Sequence, residues 1–200
     1  MPAEDLSAAR RRFAEAIEEA RRGLDIEPAS IRARLVLAWM LYFDRQYDPA
    51  IREMRTVLQM DPTSGMAHFR LGQVLLVTRQ WDEAIPELQT AVQLTDRTPA
   101  ALGLLAMAYG GRGARAEAQR IVDELEQRSA TENVPPGAML LAFIGIDDKA
   151  RAIDMIERGY TERDNYEINI AADPLMDPLK KEPRFEALCR LVMLGTASGP

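Results

Sequence analysis

Apolar residues along this chain recur at three- and four-residue spacing, in blocks separated by short polar or proline-marked breaks. Over residues 6–26 the apolar positions Phe13, Ala16, Ile17, Ala20 and Leu24 lie on one face of a helix. Glu27-Pro28 ends that helix, because proline disfavours helical geometry in the residue before it. The same reading predicts helices over 30–44, 47–60, 64–78, 81–94, 100–109 and 114–128. Beyond these it predicts a helix over 135–146, a partner over 148–158, and a last helix over 183–194 followed by a frayed end at 195–200. In the tail, Asp173-Pro174, Asp177-Pro178 and Glu182-Pro183 each place an acid before proline. That pair suits a helix start, since the carboxylate can cap and proline fits the first helical position.

The blocks repeat. Phe13-Ala14-Glu15-Ala16-Ile17, Tyr47-Asp48-Pro49-Ala50-Ile51 and Trp81-Asp82-Glu83-Ala84-Ile85 are one phrase, with aromatics at 47 − 13 = 34 and 81 − 47 = 34. Pro28 and Pro62 keep the interval, as do Ala84 and Ala118. A period of this length marks stacked helix–turn–helix units, each touching only its neighbours. The interval loosens after residue 128. The predicted organisation is a capping helix or half repeat over 1–28, units over 29–62, 63–96 and 98–130, a divergent helix pair over 135–160, and a cap and tail over 161–200. Residues 13–28 read as the second half of a unit. Either the chain begins with a lone capping helix or it was cut from a longer protein.

These residues resemble the tetratricopeptide repeat, whose signature is W-x₂-L-G-x₂-Y, then A-x₃-F, then P. The match is carried by Arg34, Leu37, Ala38, Leu41, Ala50, Met54 and Pro62 in the first unit. The second supplies His68, Leu71, Gly72, Leu75, Ala84 and Leu88, and the third Leu102, Leu105, Ala106, Tyr109, Ala118 and Val122. No tryptophan fills the first column, and Gly72 is the single glycine in its column. The resemblance implies an all-α fold, a right-handed superhelical solenoid of antiparallel helix pairs with a C-terminal helical cap. Small residues explain the columns physically: Ala38, Gly72 and Ala106 let paired helices approach, and Ala50, Ala84 and Ala118 let the next unit dock. The tail, from Asp173-Pro174-Leu175-Met176 to Glu182-Pro183-Arg184-Phe185 and Leu188, is similar to a closing segment that follows such repeats in bacterial signalling proteins. Leu175-Met176 stands where those relatives more often have Arg-Phe. The resemblance implies a cap over the apolar face of the last repeat.

Composition adds little to this picture and removes several alternatives. The net charge of −6 argues against a nucleic-acid-binding face, and the arginines at 10–12, 21 and 22 lie among acidic residues, as on a solvated helix. Apolar runs at 35–43 and 137–146 fall short of the ~20 residues of a membrane span. One cysteine, Cys189, excludes an internal disulfide framework and fits a reducing, cytoplasmic compartment. His68 occupies a packing column, and one histidine with one distant cysteine gives no metal-ligand spacing. Gly110-Gly111-Arg112-Gly113 lacks the ending of a phosphate loop and is read as the turn between two repeat helices. Asp147-Asp148 is read as capping the equivalent turn. No catalytic residue, metal or cofactor is expected.

In the resembling family the first helix of each unit lines a concave face. Positions spaced three, four and three apart share one face, and here they are Arg32, Leu35, Trp39 and Tyr42; then Met66, Phe69, Gln73 and Leu76; then Ala100, Gly103, Met107 and Gly110. The opposite faces hold core residues too, so these helices are apolar almost all round, unlike a solvated surface helix. Trp39 with Met66, Phe69 and Met107 forms an apolar group suited to an adaptable partner. Relatives that clamp acidic peptide ends place lysine, arginine and asparagine in these columns, so no such clamp is expected here. The expected function is a non-catalytic scaffold holding an apolar or amphipathic segment of a protein or peptide partner. Arg32, Arg70 and Gln73 would orient it beside Leu35, Tyr42 and the anchor Trp39. The alternative is a regulatory C-terminal region of a larger bacterial signalling enzyme or transcription regulator, its groove used in cis or for homo-oligomerisation.

Overall fold

The computed structural model of the chain describes residues 3–162 and 170–196, with side chains over 12–161 and 170–191. These residues form ten α-helices and one 3-10 helix, and no strand among the described residues. The α-helices are α1 (Ala3–Ile26), α2 (Ile31–Phe43), α3 (Tyr47–Met60), α4 (Gly65–Val77), α5 (Trp81–Leu94), α6 (Pro99–Arg112), α7 (Arg115–Ser129), α8 (Pro136–Gly145), α9 (Lys149–Glu162) and α10 (Pro183–Thr196). The 3-10 helix is Pro174–Leu179. Successive helices pack as pairs and the pairs stack, giving an all-α solenoid. Gly195 and Thr196, expected in a frayed end, continue α10, while 197–200 lie outside the described residues. No helix among the described residues is long and apolar enough to cross a membrane.

The interval is more regular in the backbone than in the sequence. Arg45, Arg79, Gly113 and Asp147 all have positive φ, and 79 − 45 = 113 − 79 = 147 − 113 = 34. Each ends the first helix of a pair. The amide one residue later donates back across the turn, Gln46 to Leu41, Gln80 to Leu75, Ala114 to Tyr109 and Asp148 to Phe143, at 2.8–2.9 Å. A second bond runs from the left-handed residue itself, as in Arg45 to Tyr42. This Schellman arrangement satisfies the last carbonyls of a helix that ends between packed neighbours. The period therefore persists through α8 and α9, where the sequence had suggested it loosens. One departure from the interval is α8, which starts late at Pro136 and is shortened at its N-terminus. Asp148 does cap α9, accepting from the Arg151 amide at 3.1 Å, but Asp147 is the left-handed turn residue and not a cap. Only Gly113 of the glycine cluster lies in a turn; Gly110 and Gly111 belong to α6.

The small columns pack as their size requires. Ala38, Ala50, Ala84, Ala106 and Ala118 are fully buried. A Cβ on Gly72 would sit 2.5 Å from the Leu88 side chain on α5. Where the first unit joins its paired helices, Arg34 bonds Glu53 at 2.6 Å and the Pro28 carbonyl at 2.8 Å. One interval later, His68 faces Glu87 at 2.6 Å and the Pro62 carbonyl at 3.1 Å. His68 is therefore a brace between α4 and α5. In the third unit the equivalent positions are Leu102 and Ile121, both buried. Between α6 and α8 the backbones themselves meet: a Cβ on Gly110 would lie 1.7 Å from the Gly145 carbonyl oxygen, and one on Gly103 2.5 Å from that of Ala138.

Candidate functional site

Beyond α9 the chain returns across the face formed by α2 and α4. Asp173 opens the 3-10 helix, accepting from the Leu175 amide at 2.9 Å, and its carboxylate also accepts from the Tyr42 hydroxyl at 2.5 Å, 131 residues away. Tyr42 in turn receives the Gln73 amide at 3.4 Å, and Gln73 accepts from Arg70 at 2.9 Å. A hydrogen-bonded chain thus runs from α4 through α2 into the closing segment. Asp177 then meets Arg45, the left-handed residue after α2, in a two-pronged ion pair at 2.8 and 2.9 Å. Leu175, Met176 and Leu179 are buried in the dock, and the 3-10 helix packs on α4. The cap expected at the last repeat exists as α10, which packs on α9 and is fastened by Arg184 to Asp154 and Glu157. The segment before it does something else: it packs on α4 and bonds to Tyr42 and Arg45.

The two carboxylates of this segment stand in different surroundings. Burial pushes Asp173 up from the ordinary carboxylate value, against the pull of the Tyr42 and Leu175 donors. Asp177 is also partly desolvated, yet the Arg45 and Lys180 donors outweigh that cost and hold it low. The Arg45 guanidinium is correspondingly held charged by its bonds to Asp177.

Between the returning segment and the repeats remains a cavity of about 290 Å³. Trp39, Phe43, Phe69, Ala100, Leu104, Pro135, Leu141 and Leu175 supply its apolar walls, with Arg70, Gln73 and Asp173 as polar members. Trp39 stacks on Tyr42 with ring centroids 5.1 Å apart and meets Phe43 edge-on at 4.6 Å. The Arg70 guanidinium lies 3.5 Å over the Trp39 ring, a cation–π contact that fixes the indole. Of the residues singled out in the sequence, the cavity brings together Trp39, Phe69, Arg70 and Gln73. Tyr42 is wholly buried beneath it and engaged by Asp173, so it is a support and not a lining residue. Leu35 and Met107 pack half-buried against the core, Met66 is 54% exposed, and Arg32 is exposed; none lines the cavity. Pro135, Leu141, Asp173 and Leu175 were missed as site residues because they come from α8 and the tail. The Asp-Pro pairs signalled a helix start there, but no local spacing tells which helix they dock on.

Residues 44–108 match the family described as Tetratricopeptide repeat. That span holds α3, α4, α5 and most of α6, and over it the chain is similar to tetratricopeptide repeats. A tetratricopeptide repeat protein from Parabacteroides merdae ATCC 43184 is similar in structure, with a TM-score of 0.62 at 16% identity over 91% of this chain and 78% of that one. TTC0263, a thermophilic TPR protein of Thermus thermophilus, gives 0.61 at 15% identity, over 95% of this chain and 94% of that one. MamA gives 0.54 at 20% identity, over 83% and 97%. No curated protein matches the chain in sequence. At these identities the structural likeness speaks for the fold. Tetratricopeptide repeat proteins are in general non-catalytic scaffolds, and their repeats typically mediate protein–protein interaction.

Proposed function

We propose that this tetratricopeptide array is a non-catalytic scaffold that holds an apolar or amphipathic peptide segment against Trp39 in its groove. The observation that carries the reading is the cavity of about 290 Å³ beside an indole packed by Tyr42, Phe43 and Arg70. Its size lies near the lower end of ligand pockets, enough for one or two large side chains. A rigid aromatic wall with few polar groups suits an apolar anchor residue, because little side-chain entropy is lost on binding. Arg70 and Gln73 already bond each other, which preorganises the polar edge.

The experiment is selection of binding peptides from a displayed library, followed by affinity measurement with Trp39→Ala. Losing a central aromatic anchor costs about 2 kcal/mol or more of binding, some thirtyfold in affinity. Unchanged affinity with the helical signal intact would sink the proposal. The reading as a regulatory region with its groove used in cis draws support from one observation, the seating of Pro174–Leu179 on α4. An in-frame kinase, cyclase or DNA-binding domain upstream in the gene would favour it.

A further inference from the structure

The segment that docks on α2 and α4 shows what chemistry this surface accepts. It has three points of attachment: the Asp173 carboxylate on the Tyr42 hydroxyl, the buried Leu175 and Met176, and the Asp177 carboxylate on Arg45. The proline after each acid presets the backbone for a short helical turn, so little order has to be imposed on binding. The third attachment is at the rim, where Arg45 and Asp177 keep 41% and 44% of their side-chain surface exposed. The cavity adjoins Leu175 at this dock. Trp39, Phe69, Leu104 and Leu141 line the same cavity, so a larger apolar side chain at that position would extend its dispersion contacts toward them.

From this we infer that the groove receives, in trans, a partner peptide of the same pattern. That pattern is an acid followed by proline, an apolar residue larger than leucine, a second apolar residue, and another acid four positions after the first. The chain's own residues 173–179 are the resident competitor. The inference rests on the groove reading above and names the ligand class for it. The tether explains why the partner must differ from the resident. A covalently linked segment acts at an effective concentration on the order of millimolar, so an identical free peptide cannot displace it at micromolar levels. A ligand that fills the cavity can.

The test uses the full chain and fluorescein-labelled peptides of residues 172–180, read by polarisation. Wild-type chain should ignore the native peptide at micromolar concentration and bind the peptide carrying Leu175→Trp at least tenfold more tightly. The Asp177→Lys chain, whose own segment is repelled by Arg45, should bind both. Adding Arg45→Glu to that chain re-forms the resident's charge pair with opposite signs and should again exclude the native peptide. If the Asp177→Lys chain is folded by circular dichroism yet takes neither peptide, the inference is overturned. If that variant does not fold, amide exchange on wild type decides. Release of residues 173–179 well before global unfolding supports the inference, and exchange only with global unfolding overturns it. Concentration-dependent dimers lost in Asp177→Lys would name a second copy as the occupant, which also overturns it. Trp39-dependent binding of unrelated apolar peptides that survives any of these failures leaves the groove reading standing, and its loss removes both.

Discussion

The first two repeats and the seam between α6 and α8 keep one rise per unit by different physical means. In the first two repeats, paired helices are braced by long side chains, Arg34 to Glu53 and His68 to Glu87, each also reaching a proline carbonyl in the preceding turn. In the third unit the brace between α6 and α7 is replaced by buried Leu102 and Ile121, and at the α6–α8 seam Gly103, Gly110 and Gly145 let backbone touch backbone. A brace can lengthen or tilt by a rotamer. A backbone contact cannot, so the seam is the stiffer half and tolerates change least.

The largest effect should therefore follow Gly110→Ala. The added carbon would meet the Gly145 carbonyl at 1.7 Å, and only a backbone shift could relieve it. Urea unfolding should show a loss of about 3 kcal/mol. Gly72→Ala meets only the Leu88 side chain, which can rotate, and should cost about 1 kcal/mol. Equal losses at the two glycines would end the distinction between the halves.

Next in size is the dock of the closing segment. Asp173→Ala leaves the Tyr42 hydroxyl buried without this acceptor, a cost of about 1–3 kcal/mol in thermal or urea unfolding. Asp173→Asn keeps an acceptor without a buried charge and should equal or exceed wild type at neutral pH. The sign of the pH dependence follows from the raised carboxyl. The folded chain holds the Asp173 proton more tightly than the unfolded one, so stability should rise as pH falls through that raised value. The gain is complete below the ordinary value of 3.8, where Asp177, held low by Arg45 and Lys180, begins to lose its ion pairs. Wild type should therefore be most stable in mildly acidic solution, and Asp173→Asn should flatten the rise.

Smaller still is the exchange of braces. His68→Ala should cost about 1 kcal/mol, because Glu87 and the Pro62 carbonyl lose their partner in a partly buried setting. The pair Arg34→Leu with Glu53→Ile copies the third unit's apolar solution and should be nearly neutral. Arg45→Ala should also be mild, within about 1 kcal/mol by urea unfolding, since its ion pair with Asp177 is half exposed.

The repeat was legible because it is local. Helix limits at residues 47–60 and 81–94 agree with α3 and α5, since an apolar stripe and a proline-marked break are both written within one turn of the boundary. The left-handed turns were less so. Arg45, Arg79 and Asp147 share no side-chain chemistry with Gly113, and only the 34-residue interval links them. The glycines of α6 read as a turn because their reason, the close passage of α8, lies in another repeat. The lining of the cavity was legible only in part, for the same reason. Trp39, Phe69, Arg70 and Gln73 follow from spacing within α2 and α4, whereas Asp173 and Leu175 arrive from the far end of the chain by a path that leaves no periodic trace.

The placement of the two tryptophans has a practical consequence. Trp81 lies against Gly111 in the body of the array, while Trp39 forms a wall of the cavity under the Arg70 guanidinium. A chain carrying Trp81→Phe would hold one indole, in the cavity wall where the proposed peptide would dock. Its emission would turn the groove into its own optical gauge, so that filling or emptying could be followed in a cuvette without attaching a dye.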